Sequence, residues 1–398
     1  IAMMMMQMPD NQEAIDLLKD MVATDTFVFG SSSWVTASKL IKTIQSAQRA
    51  GSFATLTEGT DLEIESDDFG PNMIVAKALA AHTDQIVIPD LVWGFKTTKI
   101  DAAKNQLDRI EVFAKSMAQA QPMLADAVAR QTIGNGDFIT VTIKPDPNLI
   151  KLAISNVMNT DMEEELDTIL KRISELQFVV ALGVVKDHVV LSIGGGTEHL
   201  QAMGTTGGSL LDTEPLKVVR DAADKPLTSI WYRSKKLAKA WETSPEDIAE
   251  AKELVTLVAK ANELSAEATA DAEKLVEDLL NGYASRMPTA GPWVAYSYLT
   301  DTGYAGEEWN WAKNLPWDGS KPLAFDHFGG DPFAAVAVRT KTDPEQFESL
   351  VTWVSSLRKF ITDNISSSAD EDVQKNFETF EEKIVPLGEE LTQTIREK

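Results

Sequence analysis

The chain contains no cysteine, which excludes disulfides, thiolate catalysis and cysteine-ligated zinc. Histidine is scarce as well: His82, His188, His199 and His327 are the only four. None forms H-E-x-x-H or another ligand pair at helical spacing, so no metal site and no cofactor is expected. His188 and His199 flank one strand and matter only if they converge; His327 stands beside Asp326. No apolar run approaches the roughly 18 residues a membrane-crossing helix needs, so no transmembrane segment is expected. Positive charge is also short, with 37 Lys and Arg against 61 Asp and Glu, a formal net charge of -24. Such a balance repels phosphate and excludes non-specific binding to nucleic acid or anionic membrane. The one basic cluster, Arg233-Ser234-Lys235-Lys236, opens an amphipathic helix and reads as a solvated face.

What is present is a globular composition, 43% hydrophobic and 25% charged. At 398 residues the chain exceeds one ordinary core, so two domains are expected. Apolar stripes predict helices over 11–23, 100–118, 245–264, 266–283 and 344–364, with another from Asp370 that Pro386 interrupts. Ser244-Pro245-Glu246 is a helix start, an N-cap Ser followed by Pro at the first helical position. The break near Ser265 leaves open one long helix in place of a helical hairpin. Period-two and β-rich runs predict strands over 138–144, 294–299 and 333–340, and a hairpin over 178–193 turning at Lys186-Asp187. Strands and helices intermix without a βαβ rhythm, which gives α+β as the fold class.

Two strand–helix stretches recur in the same order. Residues 91–117 and 333–360 each leave a strand through Lys-Thr and enter a helix near an Asp. Residues 27–47 and 229–243 are each a short aromatic strand feeding a helix. The expected organisation is therefore two divergent α+β units, 1–225 and 226–398, the second carrying a helical-hairpin insertion at 245–283. The first closes with the 178–193 hairpin and a helix over 197–203.

Gly194-Gly195-Gly196 lies between a strand and a helix but fails the G-x-G-x-x-G test. His199 holds the third glycine position and Glu198 puts negative charge where a pyrophosphate would sit. It reads as a tight turn. Gly204 to Gly208 lacks the Gly-Lys-Ser/Thr of a phosphate loop and reads as a helix stop. No G-x-S-x-G elbow is present, and Ser31-Ser32-Ser33 reads as a helix N-cap region, so no catalytic residue is assigned. The most informative segment runs from Trp293 to Trp317, holding four of the nine tryptophans and three of the five tyrosines. Trp293, Tyr304, Glu307, Glu308, Trp309, Trp311 and Trp317 are the candidate ligand-binding residues, aromatic faces for sugar stacking interleaved with carboxylates. The plainer reading is a long loop pinned by aromatic anchors.

Two stretches resemble a known family. Leu299 to Trp311 (LTDTGYAGEEWNW) and Val189 to Met203 (VVLSIGGGTEHLQAM) are similar to an uncharacterised family of exported proteins of planctomycete-like bacteria. Asp326 to Pro344 is similar in flavour and less specific. The resemblance covers about half the chain and implies an extracytoplasmic place, with no catalytic residue to carry over. Absence of cysteine points the same way, since stray pairing is a hazard in oxidising compartments. The chain begins at Ile1 and so reads as processed or partial, any signal peptide having been removed. Two functions follow as expectations. One is a non-enzymatic exported protein binding an unknown ligand or partner at the cell envelope. The other is a glycan binder or a carbohydrate-active enzyme using 293–318, with Glu307 or Glu308 as acid and Asp318 or Asp301 as counterpart. A glycosidase needs two carboxyls roughly 5–9 Å apart in an open cleft.

Overall fold

The computed structural model describes residues 11–55, 71–119, 126–148, 150–151, 163–205, 208–261, 264–321, 323, 334, 336–341, 344–364, 375, 379 and 381–396. The fold is α+β, two antiparallel sheets packed with helices. It divides into two compact units, residues 1–44 with 76–223 and residues 45–75 with 224–398.

The first unit is a six-stranded sheet in the order β1-β2-β6-β5-β4-β3. In chain order it runs α1 (Asn11–Val22), β1 (Thr26–Gly30), α2 (Ser33–Thr55), α3 (Pro71–Ala81), β2 (Leu91–Lys96), α4 (Ile100–Gln119), β3 (Val128–Ile133), β4 (Gly136–Ile143), α5 (Glu163–Glu175), β5 (Phe178–Val185), β6 (His188–Gly194) and α6 (Lys217–Arg220). Helices α2 and α3 each cross the division between the units. The turn from β5 to β6 uses Lys186 at a φ of 53°, a left-handed position that tight hairpins require. Because side chains alternate, each sheet face has its own core. Leu17 and Met21 of α1 and Ala103 and Leu107 of α4 pack with Ile139 and Val184 on one face. Val92, Phe138, Ala181, Val190 and Leu200 fill the other. On that second face aromatic rings lie across cross-strand glycines. Phe27 pairs in register with Gly94, and Phe138 with Gly183. A Cβ on Gly94 would fall 2.0 Å from the Phe27 ring, and one on Gly183 2.4 Å from the Phe138 ring. The missing side chains are what lets the rings lie flat on the sheet.

The second unit contains a three-stranded sheet, β7 (Leu227–Arg233), β8 (Trp293–Thr300) and β9 (Gly303–Asn310), in that order. Between the neighbouring strands β7 and β8 the chain makes α7 (Lys235–Lys239), α8 (Pro245–Ala261) and α9 (Ala266–Ala284); α10 (Pro344–Asn364) and α11 (Val385–Arg396) follow β9. The start of α8 is a reciprocal cap: Asp247 N–H donates to Ser244 Oγ at 3.2 Å and Ser244 N–H donates to Asp247 Oδ2 at 2.5 Å. Ser265 accepts from Ala268 N–H at 3.1 Å and starts α9, so this stretch is two helices. Lys252–Glu277 at 2.7 Å and Thr256–Glu273 at 2.5 Å bridge them side by side, making a hairpin.

Three expectations are corrected. The helix expected over 197–203 is a single 3₁₀ turn, Glu198–Leu200. The strand expected over 333–340 is absent at the described residues, which make one isolated bridge, Trp317 to Thr340. Asp318 N–H donates to Arg339 and Lys341 N–H to the Pro316 carbonyl, but Pro316 has no N–H with which to extend the ladder. Residues 303–310, read as loop, form β9. Strand β3 was not anticipated at all. The main division falls at Ala223 and Asp224, with 45–75 assigned to the second unit.

Candidate functional site

The three-stranded sheet presents two unlike faces, and the alternation of β9 decides which candidate residue belongs to which. On the packed face lie Val294, fully buried, and Tyr296, 4% exposed. Glu307 stands opposite Tyr296 and Trp309 opposite Val294 in register. The Tyr296 and Trp309 rings are 5.1 Å apart. Lys225 forms an ion pair with Glu307 and sits 4.3 Å over the Tyr298 ring. That pairing holds the Glu307 carboxyl below the usual range and raises the Lys225 ammonium. Glu307 is thus an ionised, occupied carboxylate, the opposite of what a general acid needs.

The other face is open. Reading across β7, β8 and β9, its rows are Arg233–Trp293–Asn310, Trp231–Ala295–Glu308, Ser229–Ser297–Gly306, and Leu299 with Tyr304. Trp231 is 64% exposed, Tyr304 69% and Leu299 55%. Small residues Ala295, Ser297 and Gly306 lie between these side chains, and Ser297 is 9% exposed. Over Gly306 an added Cβ would meet only the adjoining strand, Tyr296 O at 3.3 Å and Ser297 Cβ at 4.0 Å. Ser229 and Ser297 hydroxyls are 2.6 Å apart. The Tyr304 hydroxyl is lowered in pKa by hydrogen bonding, first to Ser297, then Ser229 and Thr228. Trp293 Nε1 donates to Glu308 Oε1 at 2.6 Å, fixing the indole. With strands ~4.8 Å apart and ~3.4 Å per residue, the patch measures roughly 10 by 20 Å.

The seven candidates therefore scatter. Trp293, Tyr304 and Glu308 share the open face; Glu307 and Trp309 are on the packed one. Trp311 follows β9 and is 39% exposed, and Trp317, 54% exposed, stands at the isolated bridge. Glu307 and Glu308 point to opposite sides of one strand, so they are no acid pair. Asp301 is in the β8–β9 turn, and the Asp318 carboxylate is taken by the Ser320 N–H at 2.9 Å and hydroxyl at 3.1 Å. Trp231, missed as a site residue, carried a signal in the aromatic run Ile230-Trp231-Tyr232 of β7.

A second constellation lies in the first unit. Ser192 Oγ is 2.6 Å from His199 Nε2, and His199 Nδ1 is 3.4 Å from Asp90 Oδ1. Ser31 and Ser33 hydroxyls donate to Asp90 Oδ2 at 2.5 and 2.9 Å, and Gly195 N–H donates to Oδ1 at 3.3 Å. The atom order is that of a hydrolase triad, but Ser192 is 2% exposed and the His199 side chain 6%. No acyl group reaches such a serine. The array fastens the 3₁₀ turn to β6, to the start of β2 and to the start of α2. His188 is elsewhere, 2.8 Å from Asp187 and against the Phe27 ring; along β6 it is ~13 Å from Ser192, so the two histidines do not converge. His327 and Asp326 lie outside the described residues. Among the described residues no cluster of three His, Asp or Glu side chains is placed to hold a metal.

Burial lowers the His199 pKa, Asp90 and Glu198 opposing it more weakly. A depressed folded value makes the native state prefer the neutral ring. Stability from this site is complete above the unfolded pKa near 6.5 and falls as pH drops toward the folded value. Urea unfolding at pH 8 and pH 5 is expected to show a lower midpoint at pH 5, and His199→Gln to remove part of that difference. An equal pH dependence in both proteins would contradict it.

No family model matches the chain, and no curated protein and no solved structure was found similar to it. No helix among the described residues is long and apolar enough to cross a membrane.

Proposed function

We propose that this is a non-enzymatic binding protein that takes a neutral carbohydrate on the open face of β7, β8 and β9. The observation that carries the reading is the exposure of Trp231 and Tyr304 on either side of the small residues Ala295, Ser297 and Gly306. Trp231 and Tyr304, 64% and 69% exposed, stand on one face of one sheet with Trp293 and Leu299, so that face offers several apolar surfaces together. Sugar rings offer apolar faces to stack and hydroxyls to bond, and the site supplies both kinds of partner: indole and phenol faces, with Glu308, Arg233 and the amide nitrogen of Asn310 at hydrogen-bonding positions on the same face. The separation of Glu307 from Glu308 and the ion pair on Glu307 speak for binding without hydrolysis. The net charge of -24 speaks against an anionic polymer. The proposed place of action is the cell envelope, outside the cytoplasm, a reading supported by the absence of cysteine; fractionation of the full gene product tests it.

Affinity electrophoresis through gels carrying β-glucan, xylan, mannan or soluble chitin tests the binding. The expected result is retardation by at least one neutral polysaccharide, none by heparin, and no release of reducing ends on long incubation. Migration unaffected by any of them refutes carbohydrate binding, and retardation that persists in Trp231→Ala refutes this site. Released reducing ends would make the protein a glycosidase.

A further inference from the structure

The first unit holds an apolar cavity of about 270 Å³ between α1, α4 and the sheet. Leu17 and Met21 of α1, Leu107 and Ile110 of α4, and Phe95 and Val189 of the sheet give it its character. The space is partly open to solvent, and its floor is the helix–sheet core built on Leu17, Ala103 and Leu107. Gln106 is the polar side chain on the wall, and its amide is engaged: Nε2 donates to Glu13 Oε2 at 2.7 Å and Oε1 accepts from Arg109 at 3.4 Å. No ionised group lines the cavity, which offers water too few partners to fill it and an ion no counter-charge. The way in is beside Val22, which lines the cavity and is 82% exposed at the end of α1.

We propose that this cavity is a binding site for a neutral, unbranched alkyl chain. Its size sets the length. An apolar cavity of about 150 Å³ accommodates benzene, about 25 Å³ per carbon, so 270 Å³ takes a chain of about ten carbons. A polar head on such a ligand lies at the Val22 opening, in water. The site is separate from the sheet face of the second unit and does not depend on what that face binds.

A homologous series of 1-alkanols from hexanol to tetradecanol tests the proposal on the full chain, read by methyl NMR shifts of Leu17, Leu107 and Val189. Expected is saturable one-to-one binding that tightens about fourfold with each added methylene and stops tightening near ten carbons. Affinity that climbs on to tetradecanol overturns the size limit and indicates the longer acyl chain of a membrane lipid. The absence of saturable shifts across the series overturns the site altogether. Ala103→Phe, which grows a ring from a buried wall position 4% exposed, is expected to abolish alkanol binding; binding that survives it overturns the site. Because that variant could simply misfold, xenon is the second probe. Methyl shifts under xenon pressure, confined to the same residues of the unmodified protein, are expected; none there means the cavity does not exist in solution.

Discussion

Replacing both Trp231 and Tyr304 by Ala is expected to weaken binding to the polysaccharide that retards the protein most by up to about 1000-fold, while leaving Tm within a degree or two. The size follows from area. Covering part of an exposed aromatic removes about 80 Å² from water, about 2 kcal/mol at ~25 cal/mol/Å². That is the usual cost of truncating an aromatic anchor and amounts to about 30-fold per residue. The unchanged Tm follows from exposure: side chains at 64% and 69% contribute little to the fold. Calorimetric titration with the corresponding hexasaccharide, alongside thermal melts, reads both halves. A loss of affinity matched by a fall in Tm would mean that the residues support the sheet and do not touch ligand.

The second large effect is expected in the first unit. Phe138→Ala should cost about 3–5 kcal/mol, because the ring is fully buried between two strands and its loss leaves a cavity. A fall in Tm of roughly 10 °C corresponds. Gly183→Val is expected to be comparably damaging for the opposite reason. Its Cβ would lie 2.4 Å from the Phe138 ring and 2.5 Å from the Asp137 carbonyl oxygen, and a well-packed core tolerates added volume poorly. The two sites are coupled through one ring. Gly183→Ala should therefore cost less in a Phe138→Ala background than alone, by 1 kcal/mol or more. Strict additivity in urea unfolding would show that the ring does not lie on the glycine.

Local pattern carried much of the first unit. The stripe Ala14, Leu17, Met21 predicts α1, because burial on one side leaves a clear period; the β5–β6 hairpin, covered on both faces, is predicted by its valine-rich composition around Lys186-Asp187. Strand β3 left no such mark: Ala129 to Thr132 are exposed along an edge, so nothing forced their side chains to alternate. Strand β9 was hidden by its composition, Gly303-Tyr304-Ala305-Gly306-Glu307-Glu308-Trp309-Asn310. Its glycines and acids read as loop, although the preceding Asp301-Thr302-Gly303 is a turn signal. The site suffered most from this. A cluster along the chain looked like a cluster in space, whereas pleating sends Glu307 and Trp309 one way and Tyr304 and Glu308 the other. The missing aromatic, Trp231, comes from β7, with α8 and α9 lying in the sequence between it and Trp293. Likewise Ser192 and His199 sit on either side of a glycine turn, but Asp90, which completes their array, lies far upstream, and spacing alone could not join them.

The account rests on Trp231 and Trp293 meeting a ligand that Trp309 does not. Indole N–H signals of nitrogen-15-labelled protein, assigned with Trp231→Phe, Trp293→Phe and Trp309→Phe, should be followed during titration with the hexasaccharide. Shifts at Trp231 and Trp293 with Trp309 unmoved are predicted. Movement of Trp309 with Trp231 still would place the ligand on the other side of the sheet and contradict the account.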